Sequence, residues 1–129
     1  MITSQLKIMA GHQQVMPFLL LYNAEAFIDF IRKLFNAQEM FRTLNAQKQI
    51  QHSEILIGNA MLFLSEAENE TRNTPSSLYI YVVDTDTTFY KAIDMGCEPL
   101  MHPIDEDNGK RTAGIKDPFG NSWWLATIT

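Results

Sequence analysis

The chain has 129 residues, a hydrophobic fraction of 46%, a charged fraction of 19% and a formal net charge of −5. This length is typical of one domain, so we expect residues 1–129 to form a single unit. The negative charge and the lack of a basic stripe argue against a nucleic-acid partner. The longest apolar run, 15–22, is too short to span a bilayer. The lone Cys97 excludes an internal disulfide and fits a cytoplasmic protein.

The first half of the chain predicts a strand, a helix and three further strands. Residues 16–22 are apolar and precede Asn23, which indicates a buried strand followed by a helix N-cap. Hydrophobic side chains with the spacing of one helix face come next: Phe27, Phe30, Ile31 and Leu34. The later strands are predicted at 39–44, 49–57 and 60–65. Gly58-Asn59 is typical of the tight turn of a hairpin between the last two.

A polar linker, 66–76, is followed by a second half with the same pattern. Here a strand precedes a helix that begins after Asp84 and ends near Gly96. The strands of this half are predicted at 77–83, 97–101, 111–116 and 121–127. Asp117 opens the turn between the last two strands and is expected to cap that turn.

Equivalent features of the two halves are separated by a nearly fixed distance in sequence. Phe27 and Phe89 are 62 residues apart (89 − 27), and so are the hairpin glycines Gly58 and Gly120 (120 − 58). The spacing predicts an internal duplication into βαβββ modules at about 13–66 and about 77–129. The predicted fold is therefore α+β, in which the two modules form a curved eight-stranded mixed sheet with the helices outside and a concave pocket inside.

Four stretches resemble the vicinal-oxygen-chelate superfamily of glyoxalases, bleomycin-resistance proteins and dioxygenases, and within it the PhnB-like group. They are Val15–Leu19, Leu34–Ala37, His52–Asn59 and Asp117–Trp123. The PhnB-like group is also labelled 3-demethylubiquinone methyltransferase-like. This sequence has no glycine-rich strand–helix turn that would bind an adenosyl cofactor, so we do not expect methyl transfer.

The resemblance also implies where a metal would bind. Metal-using members place one ligand on the first and last strand of each half. The offset of 62 and the helix caps Asn23 and Asp84, which are 61 apart (84 − 23), put those positions at Met16, Leu62, Ser77 and Trp124. None of these side chains replaces the imidazole, carboxylate or thiolate that a divalent metal needs. We therefore expect no metal and no cofactor, and we do not carry over the metal-dependent reactions of the superfamily.

If these positions face the pocket, strand alternation brings further aromatic side chains to the same face. The predicted ligand-binding residues on the strands are Met16, Phe18, Tyr79, Tyr81 and Trp124. Such a lining suits a small hydrophobic or aromatic ligand, and the net charge favours a cationic one. The alternative is that these side chains fill a packed core.

Arg111 completes the predicted site because PhnB-like proteins resemble one another in having a basic residue at this point. It could bind a carboxylate or phosphate, or it could be an ordinary surface arginine.

His52 and Glu54 are two residues apart on a predicted strand and therefore share a face. A histidine beside a carboxylate can transfer protons, which makes the two residues candidates for catalysis. The alternative is an exposed pair on an edge strand. His12 and His102 fall in predicted loops and receive no role. Cys97 has no basic neighbour that would activate its thiol.

Two functions remain open from the sequence. The first is a metal-free protein that binds a small molecule without turning it over, as in the bleomycin-resistance branch. The second is an enzyme with a lyase- or isomerase-type reaction that uses His52 and Glu54. The resemblance further implies a homodimer, because superfamily members build a complete cavity from paired chains.

Overall fold

The computed structural model describes residues 5–129, so the first four residues of the predicted domain lie outside the described part. The helices and strands occur in the predicted order: β1 (Phe18–Leu21), α1 (Ala24–Phe35), β2 (Gln38–Leu44), β3 (Ile50–Ile57), β4 (Ala60–Glu66), β5 (Ser77–Tyr81), α2 (Thr85–Asp94), β6 (Glu98–Asp105), β7 (Lys110–Lys116) and β8 (Ser122–Ile128). One 3-10 turn, Glu70–Arg72, lies in the linker. No helix among residues 5–129 is long and apolar enough to cross a membrane.

Each half of the chain forms its own four-stranded sheet, with strand order β1-β4-β3-β2 in the first and β5-β8-β7-β6 in the second. The first and last strands of each half are parallel, whereas the other neighbours are antiparallel. The predicted α+β fold of two βαβββ modules is confirmed. The eight strands are hydrogen-bonded as two sheets of four, not as one continuous sheet.

Aromatic side chains of α1 join the two modules. Phe27 and Phe30 contact the ring of Phe119, in the last turn of the second module, at centroid distances of 5.5 and 5.9 Å. Phe35 contacts Trp123 of β8 at 4.7 Å. These residues belong to or pack against a single hydrophobic core that draws on both modules. Because the helices cover one face of each sheet, the opposite faces are left open.

The two helices begin in different ways. The Asp84 side chain accepts a hydrogen bond from the Thr87 N–H at 3.1 Å, which confirms its predicted role as an N-cap. Asn23 makes no such bond and its φ is 69°. Instead, the carboxylate of Glu66, at the end of β4, accepts from the N–H groups of Asn23 and Ala24 at 2.7 and 2.8 Å. Asn23 is therefore the N-cap residue, as predicted, but its side chain makes no capping hydrogen bond. A carboxylate from a neighbouring strand stabilises the helix N-terminus instead.

The sheet register corrects the repeat distance. Phe18 pairs with Phe63 in the first sheet and Tyr79 pairs with Trp124 in the second, and Phe18 and Tyr79 both lie on the exposed face of their strand. Equivalent residues are therefore 61 apart (79 − 18 and 124 − 63). The predicted distance of 62 is wrong because the hairpin turns differ in length. Ile57 pairs with Ala60 across a two-residue turn, whereas Lys116 pairs with Ser122 across five residues. Aligning the turn glycines therefore shifts the strands by one position.

This shift changes one of the predicted positions. A displacement of one residue along a strand exchanges its two faces. Leu62 lies on the helix side of its sheet, only 5% exposed. The residue equivalent to Trp124 is Phe63, on the opposite face.

Candidate functional site

We call the sheet faces turned away from the helices the open faces. The first open face carries Phe18, Phe41, His52, Glu54 and Phe63, and the second carries Tyr79, Tyr81, Lys110, Gly114 and Trp124. Phe18, Phe41, Tyr79 and Tyr81 each expose between 51% and 59% of their surface. In a single chain these aromatic side chains therefore face solvent.

Trp124 lies across its sheet. Its indole N–H donates to the hydroxyl of Ser77 on β5 at 3.1 Å. On the other side, the six-membered ring covers Gly114 of β7, where an added Cβ would lie 2.4 Å from Cζ3 of the indole. Only a residue without a side chain leaves room for this ring. The indole thus spans three strands as a flat apolar surface.

Beside the indole, two tyrosines surround an ammonium group. The rings of Tyr79 and Tyr81 meet edge to face at 5.5 Å. The Nζ of Lys110 lies 5.5 and 5.6 Å from their centroids and donates to the Tyr79 hydroxyl at 3.4 Å. The interaction with the Tyr79 hydroxyl is the main cause that raises the pKa of Lys110, and Tyr81 acts in the same direction. The second open face therefore combines aromatic surface with one positive charge held in place.

On the first open face a carboxylate lies between two imidazoles. Glu54 is 2.8 Å from Nε2 of His12 and 3.0 Å from Nε2 of His52, each through a different oxygen. The hydrogen bond with His12 is the main cause that lowers the pKa of the Glu54 carboxyl. Phe63 meets both imidazole rings edge on, at 5.1 and 4.7 Å. This arrangement could hold or transfer a proton at an aromatic surface.

The histidines differ from what the sequence predicted. His12 is not incidental, because it closes the contact with Glu54. Its neighbour Gln13 fixes the N-terminal segment through bonds from the Met61 N–H at 3.0 Å and to the Asn59 carbonyl at 3.2 Å. His102 lies on β6 and not in a loop, with its ring 5.2 Å from that of Phe89 in α2.

Arg111 lies on the helix side of the second sheet. Its guanidinium donates to both carboxylate oxygens of Asp86 on α2, at 2.6 and 3.0 Å, and to Asp105 at 3.1 Å. These two acids raise the pKa of Arg111. The structure therefore does not bring Arg111 to the aromatic residues, and the basic group on their face is its neighbour Lys110.

The predicted ligand-binding residues separate into two groups. Phe18 contacts Phe63 and His52 on the first open face, and Met16 precedes the same strand. Tyr79, Tyr81 and Trp124 lie on the second. No ring contact within residues 5–129 joins the groups. A groove of about 640 Å³ along the edge of β5 contains Tyr79 and Tyr81, together with the end of α1 and the Gly58-Asn59 turn.

Two further side chains have structural roles. Asp117 accepts from the N–H groups of Phe119 and Asn121 at 2.8 and 2.9 Å and from the indole N–H of Trp123 at 2.8 Å, which confirms that it caps its turn. Cys97 is buried, and desolvation, with the charge of Asp117, raises the pKa of its thiol to about 12. Within residues 5–129 no group of three or more His, Cys, Asp or Glu is arranged to hold a metal ion.

The fold and the comparisons with known proteins agree. Residues 18–125 match the model of the Glyoxalase/Bleomycin resistance protein/Dioxygenase superfamily, and the chain belongs to this superfamily. An uncharacterised protein of Mycobacterium bovis is 26% identical over 120 residues, which cover 84% of this chain and 79% of the relative. The resemblance to the superfamily seen in the sequence is thereby confirmed.

Solved structures share the fold at low sequence identity. A putative 3-demethylubiquinone-9 3-methyltransferase, a PhnB protein from Bacillus cereus, has a TM-score of 0.75 at 19% identity, covering 90% of this chain and 100% of that one. The fosfomycin resistance protein FosX of Listeria monocytogenes has a TM-score of 0.73 at 13% identity, covering 95% and 96%. These similarities concern the fold.

Sequence reasoning missed His12, Phe63, Lys110 and Gly114. Lys110 and Gly114 share the parity of Trp124 once β7 and β8 are correctly paired, so a correct register would have found them. Phe63 was missed through the one-residue error in the repeat. His12 left no signal, because its segment has no regular structure whose period could place it.

Proposed function

We propose that this protein binds a small hydrophobic or aromatic molecule on its second open face, with the Trp124 indole as the platform. The observation that carries the proposal is the indole lying over Gly114, since a ring held flat by hydrogen bonding and close packing is preorganised for stacking. Tyr79 and Tyr81 offer additional ring surface beside it. Metal-independent binding of this kind requires none of the superfamily's metal ligands.

The binding proposal is tested by screening the purified protein for ligands that raise its melting temperature, since a ligand that binds only the folded state stabilises it. Native mass spectrometry of the same protein detects a molecule retained during purification. Trp124→Ala should weaken any ligand found by tenfold or more. Tyr90→Ala, which removes an exposed aromatic ring from α2, serves as the control and should leave affinity unchanged. Equal affinity of wild type and Trp124→Ala for every ligand would refute the proposal.

We further infer that the protein is a cytoplasmic homodimer. The aromatic residues exposed on both open faces support pairing, because a second copy would remove them from water and close a cavity over them. A buried, unpaired Cys97 fits a reducing compartment. Sedimentation equilibrium should give a dimer at micromolar concentration. Phe18→Asp, which puts a charge on the first open face, should shift the equilibrium towards the monomer. A wild-type protein that is monomeric at every concentration measured would contradict the inference.

An enzyme is the second candidate. The observation in its favour is that His52 and Glu54 share the first open face and that His12 joins them through hydrogen bonds. An imidazole oriented by a carboxylate can remove a proton next to a carbonyl, as in isomerase or lyase chemistry. Incubating the protein in D2O with a panel of 2-oxo acids and 2-oxo aldehydes would reveal such proton transfer as deuterium incorporation by NMR. His52→Ala should abolish it, and absence of incorporation in the wild type would remove this candidate.

A further inference from the structure

The second open face carries a charge that the binding proposal does not use. Lys110 reaches over both tyrosines. Its ammonium has three N–H donors, and one of them donates to the Tyr79 hydroxyl at 3.4 Å. None of the ion pairs formed among residues 5–129 includes Lys110. Its sequence neighbour Arg111, in contrast, is paired with Asp86 and Asp105 on the opposite face. Lys110 is therefore placed to receive an anion.

The position of this ammonium relative to the indole sets the size of the ligand. Lys110 and Gly114 are four residues apart on β7, which separates their Cα atoms by about 13 Å. The Lys110 side chain spans part of this distance, because it reaches the hydroxyl of Tyr79, and Tyr79 is the register partner of Trp124. A ligand with one or two fused rings on the indole could thus extend a substituent to the ammonium.

We propose that the second open face selects planar aromatic molecules that carry an anionic group, with the ring on Trp124 and the anion on Lys110 and the Tyr79 hydroxyl. This inference rests on the proposed binding function and specifies its ligand class. It differs from the expectation drawn from the net charge of −5, which favours a cationic ligand. Screening in physiological salt limits charge interactions to about 8 Å, so the ammonium at the site outweighs distant carboxylates.

One carboxylate lies close enough to modulate this preference. Glu106 accepts a hydrogen bond from the Thr112 hydroxyl at 2.8 Å, and its N–H donates to the Lys110 carbonyl at 2.7 Å. Thr112 lies between Lys110 and Gly114 on β7, so the Glu106 charge lies near the second open face. We expect it to weaken an anionic ligand and its removal to strengthen one.

Two probes of the same shape and opposite charge test the inference: 2-naphthoate and 2-naphthylmethylammonium. Binding is measured by isothermal titration calorimetry, and the indole N–H resonance of Trp124 in ¹⁵N-labelled protein, assigned with Trp124→Phe, reports contact with the platform. We expect 2-naphthoate to bind at least tenfold more tightly than the ammonium probe and to shift this resonance. Lys110→Gln should remove most of the difference, while Glu106→Gln should preserve or increase it. Lys33→Gln, an equal change of charge at an exposed site on α1, should have no effect.

The results separate this inference from the proposed function. If both probes bind with equal affinity and shift the Trp124 resonance, and Lys110→Gln leaves both affinities unchanged, aromatic binding is supported and the preference for anions is wrong. Tighter binding of the ammonium probe would also contradict the preference for anions. If neither probe binds or shifts the resonance, both this inference and aromatic binding on the second open face are contradicted. Tighter 2-naphthoate binding that is lost in Lys110→Gln supports both.

Discussion

The two open faces are built on the same strand topology but carry different side chains. At matched positions of the register, the first sheet has two aromatic residues beside a carboxylate: Phe18, Phe63 and Glu54. The second sheet has two aromatic residues beside a residue without a side chain: Tyr79, Trp124 and Gly114. In the second sheet the indole of Trp124 lies over Gly114. In the first sheet the neighbour is Glu54, and the ring of Phe63 instead meets imidazoles edge on.

The contrast centres on one position of the third strand of each module, which is Glu54 in the first and Gly114 in the second. Glycine at 114 allows a flat apolar platform, with an ammonium beyond it. Glutamate at 54 brings a charge into the same place and gathers two histidines around it. The two modules therefore share their register and a helix-side core, while their open faces carry different side chains: an indole beside an ammonium on one, and a carboxylate between two imidazoles on the other.

The largest effect should separate the two adjacent tryptophans. Trp123 is 2% exposed and donates to Asp117 from its indole, so Trp123→Ala should lower the free energy of unfolding by about 3–5 kcal/mol. Trp124 lies on the open face, and Trp124→Ala should cost less than half as much. Urea denaturation of both variants measures the difference. Equal losses, with no stabilising ligand found for the wild type, would mean that Trp124 is part of the core.

Gly114→Ala should have the next largest effect, because the new methyl group would lie 2.4 Å from the Trp124 ring. Relief requires the indole to lift from the sheet, and overpacking of this kind costs roughly 1–3 kcal/mol. Trp fluorescence should shift to longer wavelength as the ring becomes more exposed. In the double variant with Trp124→Ala the penalty should disappear, which urea denaturation checks as a double-mutant cycle. A penalty that persists would place the strain elsewhere.

The sequence was sufficient for the elements and their order, because helix spacing, strand alternation and turn residues are local signals. The faces of β1, β5 and β8 also followed, so that Phe18 lies on the first open face and Tyr79, Tyr81 and Trp124 lie on the second. The error at Leu62 arose because Gly58 and Gly120 are both turn residues in turns of unequal length. A strand has a period of two, so a misalignment by one residue reverses the face of everything aligned through the turn.

The partners of charged side chains could not be predicted in the same way. Arg111 and Lys110 are adjacent, and the sequence gives no reason for one to meet Asp86 on α2 and the other to meet tyrosines on β5. That choice depends on the docking of α2 against β7, which is a contact between distant parts of the chain. The bond from His12 to Glu54, 42 residues away, is of the same kind.

A smaller effect concerns pH and the carboxylate of the first open face. Hydrogen bonds from His12 and His52 lower the pKa of Glu54 below its usual 4.5. A carboxyl whose pKa is lower in the folded state contributes stability above its unfolded pKa, and this contribution is lost as pH falls through the folded pKa. Glu54→Gln should therefore lower the melting temperature at pH 6 and have less effect at pH 3. Glu68→Gln, at an exposed site, is the control. If Glu54→Gln changes the melting temperature by the same amount at both pH values, the assignment is contradicted.

The smallest effect is expected at Arg111, and it tests whether the two faces of one strand are as separate as the structure places them. The guanidinium lies on the helix side with Asp86 and Asp105. Arg111→Gln should therefore leave the affinity for 2-naphthoate within about twofold of wild type, because only the screened long-range effect of one charge is lost. Lys110→Gln removes the same charge one residue away and should cost tenfold or more. Because the Arg111 ion pairs are partly exposed to solvent, the loss of this side chain should lower the melting temperature only slightly. Calorimetric titration of both variants decides the point. A tenfold loss in Arg111→Gln, with Lys110→Gln unaffected, would mean that Arg111 leaves Asp86 to bind the anion, as the PhnB-like resemblance first implied.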